Sequence, residues 1–119
     1  MRVLVCGDRN WTDRLALESA LDVIHAQTPF SCVIEGEARG ADSLARLWAE
    51  SRGVLVRKYP ALWETYGRAA GPIRNKQMLT DGQPELVIAF HKDIGSSKGT
   101  RNMLKQASDA GIPTQLIST

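Results

Sequence analysis

The stretch "CVIEGEARGADSLARLWAESRG", residues 32–53, holds one strand, one loop and one helix in succession. Its first three residues are apolar without a break, as in a short strand buried on both faces. Ala41, Leu44, Ala45 and Trp48 then recur at helical spacing, and Gly53 stands where that helix should stop. Between them lies "EGEARGAD", residues 35–42, which carries acids, an arginine and two glycines. An ordinary turn needs none of that charge.

Outward from this unit the pattern repeats. Further apolar runs occur at Val3–Cys6, Val54–Val56, Leu86–Phe90 and, more weakly, Thr114–Ile117. Leu17, Leu21 and Ile24 share a helical face after Thr12, the expected cap. Pro72 is placed as a first-turn proline before "IRNKQML", whose Met78 and Leu79 can face a core. Met103, Leu104 and Ala107 form the stripe of a last helix that Gly111 should end. Strand and helix alternate throughout, which predicts an α/β domain over residues 1–119. Its sheet should be parallel, with the first strand central and helices on both faces.

The chain's 119 residues fit one domain, and 43% of them are hydrophobic. No apolar run is long enough to cross a membrane, and "MRVLVCG" is too short an apolar start for a signal peptide. The formal net charge of +2 is too slight to indicate nucleic-acid binding. Cys6 and Cys32 lie inside strand-like runs and are expected as buried free thiols. His25 and His91 have no ligand-like spacing to them, so no metal is expected. A cytoplasmic protein follows.

In a parallel α/β sheet, ligands bind beyond the carboxyl ends of the strands. Four loops should meet there: residues 7–13, 35–42, 59–75 and 91–100. Each contains glycine and at least one arginine or lysine. Arg39 precedes the second helix, Arg74 lies in the presumed first turn of another, and Lys98 and Arg101 flank the start of the last. Cations at helix starts are unfavourable unless an anion also arrives, so the set suggests a phosphate site. The dinucleotide and Walker A glycine patterns are both absent. Ser43, Ser96 and Ser97 lack a triad partner and read as solvated or phosphate-contacting hydroxyls. Trp48 belongs to the core, while Trp11 and Trp63 are open to two roles, stacking on a base or packing under a loop.

The segments "RVLVCGDRNWTD", "GEARGADSLARLWAESRGV", "YPALWETYGRAAGPIRNKQML" and "KGTRNM" together resemble the YspA-like, YpsA-related branch of the SLOG superfamily. The resemblance implies a Rossmann-like domain that binds a nucleotide or nucleotide-derived ligand, of the ADP-ribose, NAD or nucleoside phosphate kind, as a sensor or sequestering module. No cofactor is implied. Ligand contacts are implied for Gly7 and Arg9, for Gly36, Arg39, Gly40 and Asp42, for Gly71, Arg74 and Asn75, and for Gly99 and Thr100, with Ser96 and Ser97 beside them. Backbone N–H groups of the second loop, Arg39 and Arg74 are then expected to face phosphate. Asp42 is either part of the site or a helix-start acid.

Related LOG phosphoribohydrolases carry a glutamate in the pattern P-G-G-x-G-T-x-x-E, where this chain has Met103. A glycosidic hydrolase needs a carboxylate at the sugar, which leaves Glu35 or Glu37 as the catalytic alternative. A DNA-binding role resembling that of DprA is a third reading. Near-balanced charge and the lack of an aromatic-basic stripe speak against nucleic acid. A homodimer is left open.

Overall fold

The computed structural model describes residues 1–118. Five strands form one parallel sheet: β1 (Arg2–Gly7), β2 (Cys32–Glu35), β3 (Leu55–Lys58), β4 (Leu86–Phe90) and β5 (Thr114–Ile117). Their order is β3-β2-β1-β4-β5, so β1 is central, as the alternating pattern requires. Helices α1 (Arg14–Gln27), α2 (Ala41–Ser51), α3 (Trp63–Tyr66), α4 (Ala70–Gly82) and α5 (Lys98–Asp109) fill the intervals.

The pleat of β1 divides the core. Val3 and Val5 point to one face, where Leu17 and Leu21 of α1 and Ala45 and Trp48 of α2 cover them. Leu4 points to the other, against Met78 and Leu79 of α4 and Met103 and Ala107 of α5. Burying the Val, Leu and Met side chains among these contributes roughly 1.5–3 kcal/mol each. Trp11 is 3% exposed, meets the Phe90 ring edge-on and donates its indole N–H to the Asp13 carbonyl. Of its two roles, packing under the loop is the one observed. Among the described residues no helix is long and apolar enough to cross a membrane.

Several local expectations shift. Asp13, not Thr12, caps α1: its carboxylate accepts from Ala16 N–H at 3.0 Å. β3 starts at Leu55 and ends in Arg57 and Lys58, because an edge strand needs no apolar run on both faces. The segment 59–75 is largely helical, with α3, a 3₁₀ turn over Gly67–Ala69, and α4 already under way at Ala70. Pro72 is tolerated inside that first turn because the first N–H groups of a helix have no intrahelical partner. Arg74 therefore stands two residues deeper in the helix than expected, as the fifth residue of α4.

Candidate functional site

The sheet's connections run outward from β1 through β2 to β3, then cross back to β4 and β5. The carboxyl ends of β1 and β4 mark this reversal, where crevices form in such folds. A cleft of about 780 Å³ opens there, with a smaller groove of about 470 Å³ adjoining it. Volumes in this range suit ligands of nucleotide size.

The cleft's walls come from three crossings. After β1, Asp8 N–H donates to the Phe90 carbonyl at 2.8 Å, and the Asp8 carbonyl accepts from Ala41 N–H at 3.1 Å. The start of α2 is thereby drawn onto the first loop. Gly40 makes that approach possible, since its φ is +75° and a side chain there would collide with the Asp8 and Arg9 carbonyls. From the other side α4 brings Arg74 and Asn75, and the loop before α5 brings Ser96 to Thr100.

Most of the expected ligand residues converge. Gly7, Arg9, Arg39, Asp42, Gly71, Arg74, Asn75, Ser96, Ser97, Gly99 and Thr100 all border the cleft, and Gly36 borders the adjoining groove. Gly40 borders neither; it serves the packing just described. Ser97 is the N-cap of α5, its Oγ accepting from Thr100 N–H at 3.1 Å. Asn75 bridges α4 to α5 through the Gly99 carbonyl and the Asn102 side chain.

The second loop departs from expectation. Its N–H groups turn inward: Gly36 and Ala38 both donate to Asp42 Oδ2, at 3.1 and 3.2 Å, and Glu37 donates to Glu35 Oε2 at 2.7 Å. Two buried carboxylates without an ion-pair partner claim these donors, because leaving the charges bare would cost more. No backbone N–H of residues 36–38 is left for a phosphate. Asp42 therefore fastens the loop, and it also borders the cleft, where its Oδ1 has no hydrogen-bond partner among the described residues. Desolvation raises its pKa to about 6, against the loop N–H bonds and the nearby Arg74 charge.

Glu35 ends β2 with its side chain sealed, and its Oε1 is without a partner. Burial raises its pKa to about 7. It borders neither cleft nor groove. Glu37 faces the adjoining groove with a Lys58 ammonium 3.8 Å away. Met103 lies on the cleft floor, 1% exposed.

Arg74 is half-buried, with Nη1 donating to the Gly36 carbonyl at 2.6 Å and Nε donating to Asn75 Oδ1 at 3.1 Å. A Cβ at Gly36 would take the place of that guanidinium and displace it. Arg39 is exposed and makes no hydrogen bond or ion pair among the described residues. Trp63 is 48% exposed, with the Arg9 guanidinium 5.7 Å from its ring centre.

The distribution of charge is uneven. Arg2, Arg14, Arg46, Arg52, Arg57, Lys58 and Lys105 each form an ion pair, and all lie outside the cleft. Arg9, Arg39, Arg68, Arg74, Lys92 and Lys98 form none among the described residues, and all border it. Asp8, Asp42 and Asp93 are the only acids of the lining. Arg68, Lys92 and His91 lie in loops expected at this edge but were given no ligand role by sequence reasoning, and Cys6 was expected only as a strand thiol; all four border the cleft.

Two comparisons bear on these residues. A model of the YspA, cpYpsA-related SLOG family matches residues 1–66, the portion that carries the first two loops. The chain is also 39% identical over 118 residues to the Gene 61 protein of Mycobacterium phage D29, across 94% of this chain and 92% of that protein. That second similarity extends over α4 and α5, the far wall of the cleft.

Proposed function

The chain belongs to the YspA, cpYpsA-related SLOG family, and from that premise we propose that its cleft binds a nucleotide or nucleotide-derived ligand of the ADP-ribose kind. The segregation of unpaired cations into the cleft carries this reading. Outside the cleft seven cations pair with carboxylates and only Lys76 and Arg101 do not among the described residues, whereas the six that border the cleft are all unpaired and await an anion that the protein does not supply. A concave site also suits a small phosphorylated molecule better than a duplex, whose backbone asks for an extended basic face.

The remaining groups fit the other parts of such a ligand. Asp42 Oδ1 can accept from a ribose hydroxyl, and the exposed Trp63 indole offers a face for a base. Arg74 and Arg39 contact phosphate through charge-assisted hydrogen bonds. The protein acts as a sensor or sequestering module. A reducing, cytoplasmic setting suits Cys6 and Cys32, both free thiols. Native mass spectrometry of protein purified without added ligand should reveal a retained nucleotide, and calorimetry with nucleoside monophosphates, NAD and ADP-ribose should rank the candidates. Absence of binding across that panel would remove the proposal.

One observation favours a second reading, cleavage of an N-glycosidic bond. Asp42 is a carboxyl in the cleft with a pKa of about 6, within reach of acid-base work near neutrality. Glu35, sealed beneath α2, and Glu37, turned to the adjoining groove, are less suited to it. Release of free base over multiple turnovers that stops in Asp42→Asn would establish the enzyme. Ligands recovered intact would leave the binding module.

A further inference from the structure

His91 directly follows β4 at the reversal point of the sheet and borders the cleft. Its backbone is fixed by its own N–H, which donates to the Ile117 carbonyl at 3.0 Å. Its ring is fixed as well, because Nδ1 accepts from Asp93 N–H at 3.0 Å. A ring nitrogen that accepts an N–H bond carries no proton. In the neutral imidazole the single proton must then sit on Nε2. That atom makes no hydrogen bond among the described residues. Glu35 Oε1 is the only side-chain polar atom there that is both sealed from solvent and unpartnered. Nε2 is therefore not sealed from solvent, and His91, 7% exposed, is part of the cleft lining.

We propose that His91 is a ligand-contacting residue that the fold locks in one tautomer, so that Nε2–H is offered as a neutral donor to a phosphate oxygen of the bound nucleotide; this rests on the reading of the cleft given above. The setting identifies the acceptor. Lys92 follows in the chain, and Lys98 and Gly99 at the start of α5 share the cleft, so anionic oxygens are drawn to this end. An N–H held in place needs no reorganisation when such an oxygen arrives. A protonated Nε2 cannot ligate a metal, which separates this role from that of a metal-site histidine. His25 is a built-in control. Its Nδ1 is likewise occupied, by Phe30 N–H at 2.9 Å, but its ring packs edge-on against Phe30 and Trp48, away from the cleft.

Two variants separate the halves of the ring. His91→Asn can keep an acceptor for Asp93 N–H but has no donor at the position of Nε2. His91→Gln can place an amide N–H near that position and gives up the Asp93 bond. Both would be titrated calorimetrically with ADP-ribose and with inorganic pyrophosphate, beside long-range ¹H–¹⁵N spectra of the wild type at mildly alkaline pH. We expect the Nε2–H tautomer for His91, ring signals that move with either probe while those of His25 stay, and at least ~10-fold weaker binding of both probes by His91→Asn. His91→Gln should recover part of that loss. Wild-type binding retained in His91→Asn, or ring signals of His91 unmoved by either probe, overturns the inference alone. If the wild type binds neither probe, the inference falls, and if nucleoside monophosphates and NAD also fail to bind, the nucleotide reading falls with it.

Discussion

At the scale of single residues, Arg74 joins structure to binding. Its guanidinium ties α4 to the end of β2 through the Gly36 carbonyl while its charge faces the cleft. Arg74→Ala should weaken nucleotide binding at least ~10-fold and also destabilise the fold by about 1–2 kcal/mol, because a hydrogen bond is lost beside a buried loop. Calorimetry and urea unfolding read the two effects separately. Gly36→Ala should imitate the binding loss without touching a charge, since the new methyl displaces the guanidinium. The two raised carboxyls give a pH signature. Glu35 rises from 4.5 to about 7 and Asp42 from 3.8 to about 6, so the folded chain holds protons more tightly than the unfolded chain. Stability should then fall as pH rises from the ordinary carboxyl range towards about 7, and the cost should be complete above it. Urea midpoints across that range should show the slope, and Glu35→Gln should remove the part that persists above the Asp42 midpoint at about pH 6.

At the scale of elements, the helix starts differ in what holds them. Ser97 caps α5, so Ser97→Ala should cost about 1 kcal/mol in urea unfolding, and Ser97→Asp should keep most of it. An unchanged midpoint in the alanine variant would show that the cap is idle and free the hydroxyl for a ligand. The α2 start has no side-chain cap and relies on Gly40, so Gly40→Ala should cost on the order of 1–3 kcal/mol for backbone strain alone. How much was legible beforehand follows from the same contrast. Val3–Cys6 and Leu86–Phe90 announced themselves because central strands are apolar on both faces, whereas β3, at an edge, could carry Arg57 and Lys58 and so hid its true span. Glycines and cations marked the loops. Their hydrogen-bond partners were not readable, because whether Ala38 N–H meets a phosphate or Asp42 depends on how residues 36–42 fold back. The role of His91 was hidden for a related reason: its loop was expected at this edge, but that Asp93 N–H folds back onto Nδ1 could not be read from the sequence.

At the scale of the whole molecule, ligand binding and stability are linked. A ligand held by walls from β1, α2, α4 and α5 binds only the assembled sheet, so ADP-ribose at a hundredfold excess over its Kd should add about 2.7 kcal/mol. Differential scanning fluorimetry should register this as a rise of several degrees, and Arg74→Ala, binding about tenfold more weakly, should forfeit about half of the rise at the same concentration. A midpoint insensitive to ligand would show that the folded chain does not bind it in preference to the unfolded one. The central position of β1 has a further consequence, for the order in which the chain can be made. During synthesis β1 emerges first and finds β2 within about thirty residues, but its other neighbour, β4, is not complete until Phe90. Until then a nascent chain presents one long edge of β1 and the bare apolar side formed by Leu4 and Ile34. A chain halted at residue 66, where the family match ends, would keep that edge for good and should be recovered with chaperones or in inclusion bodies. Its solubility should return when the missing half is co-expressed as a separate piece.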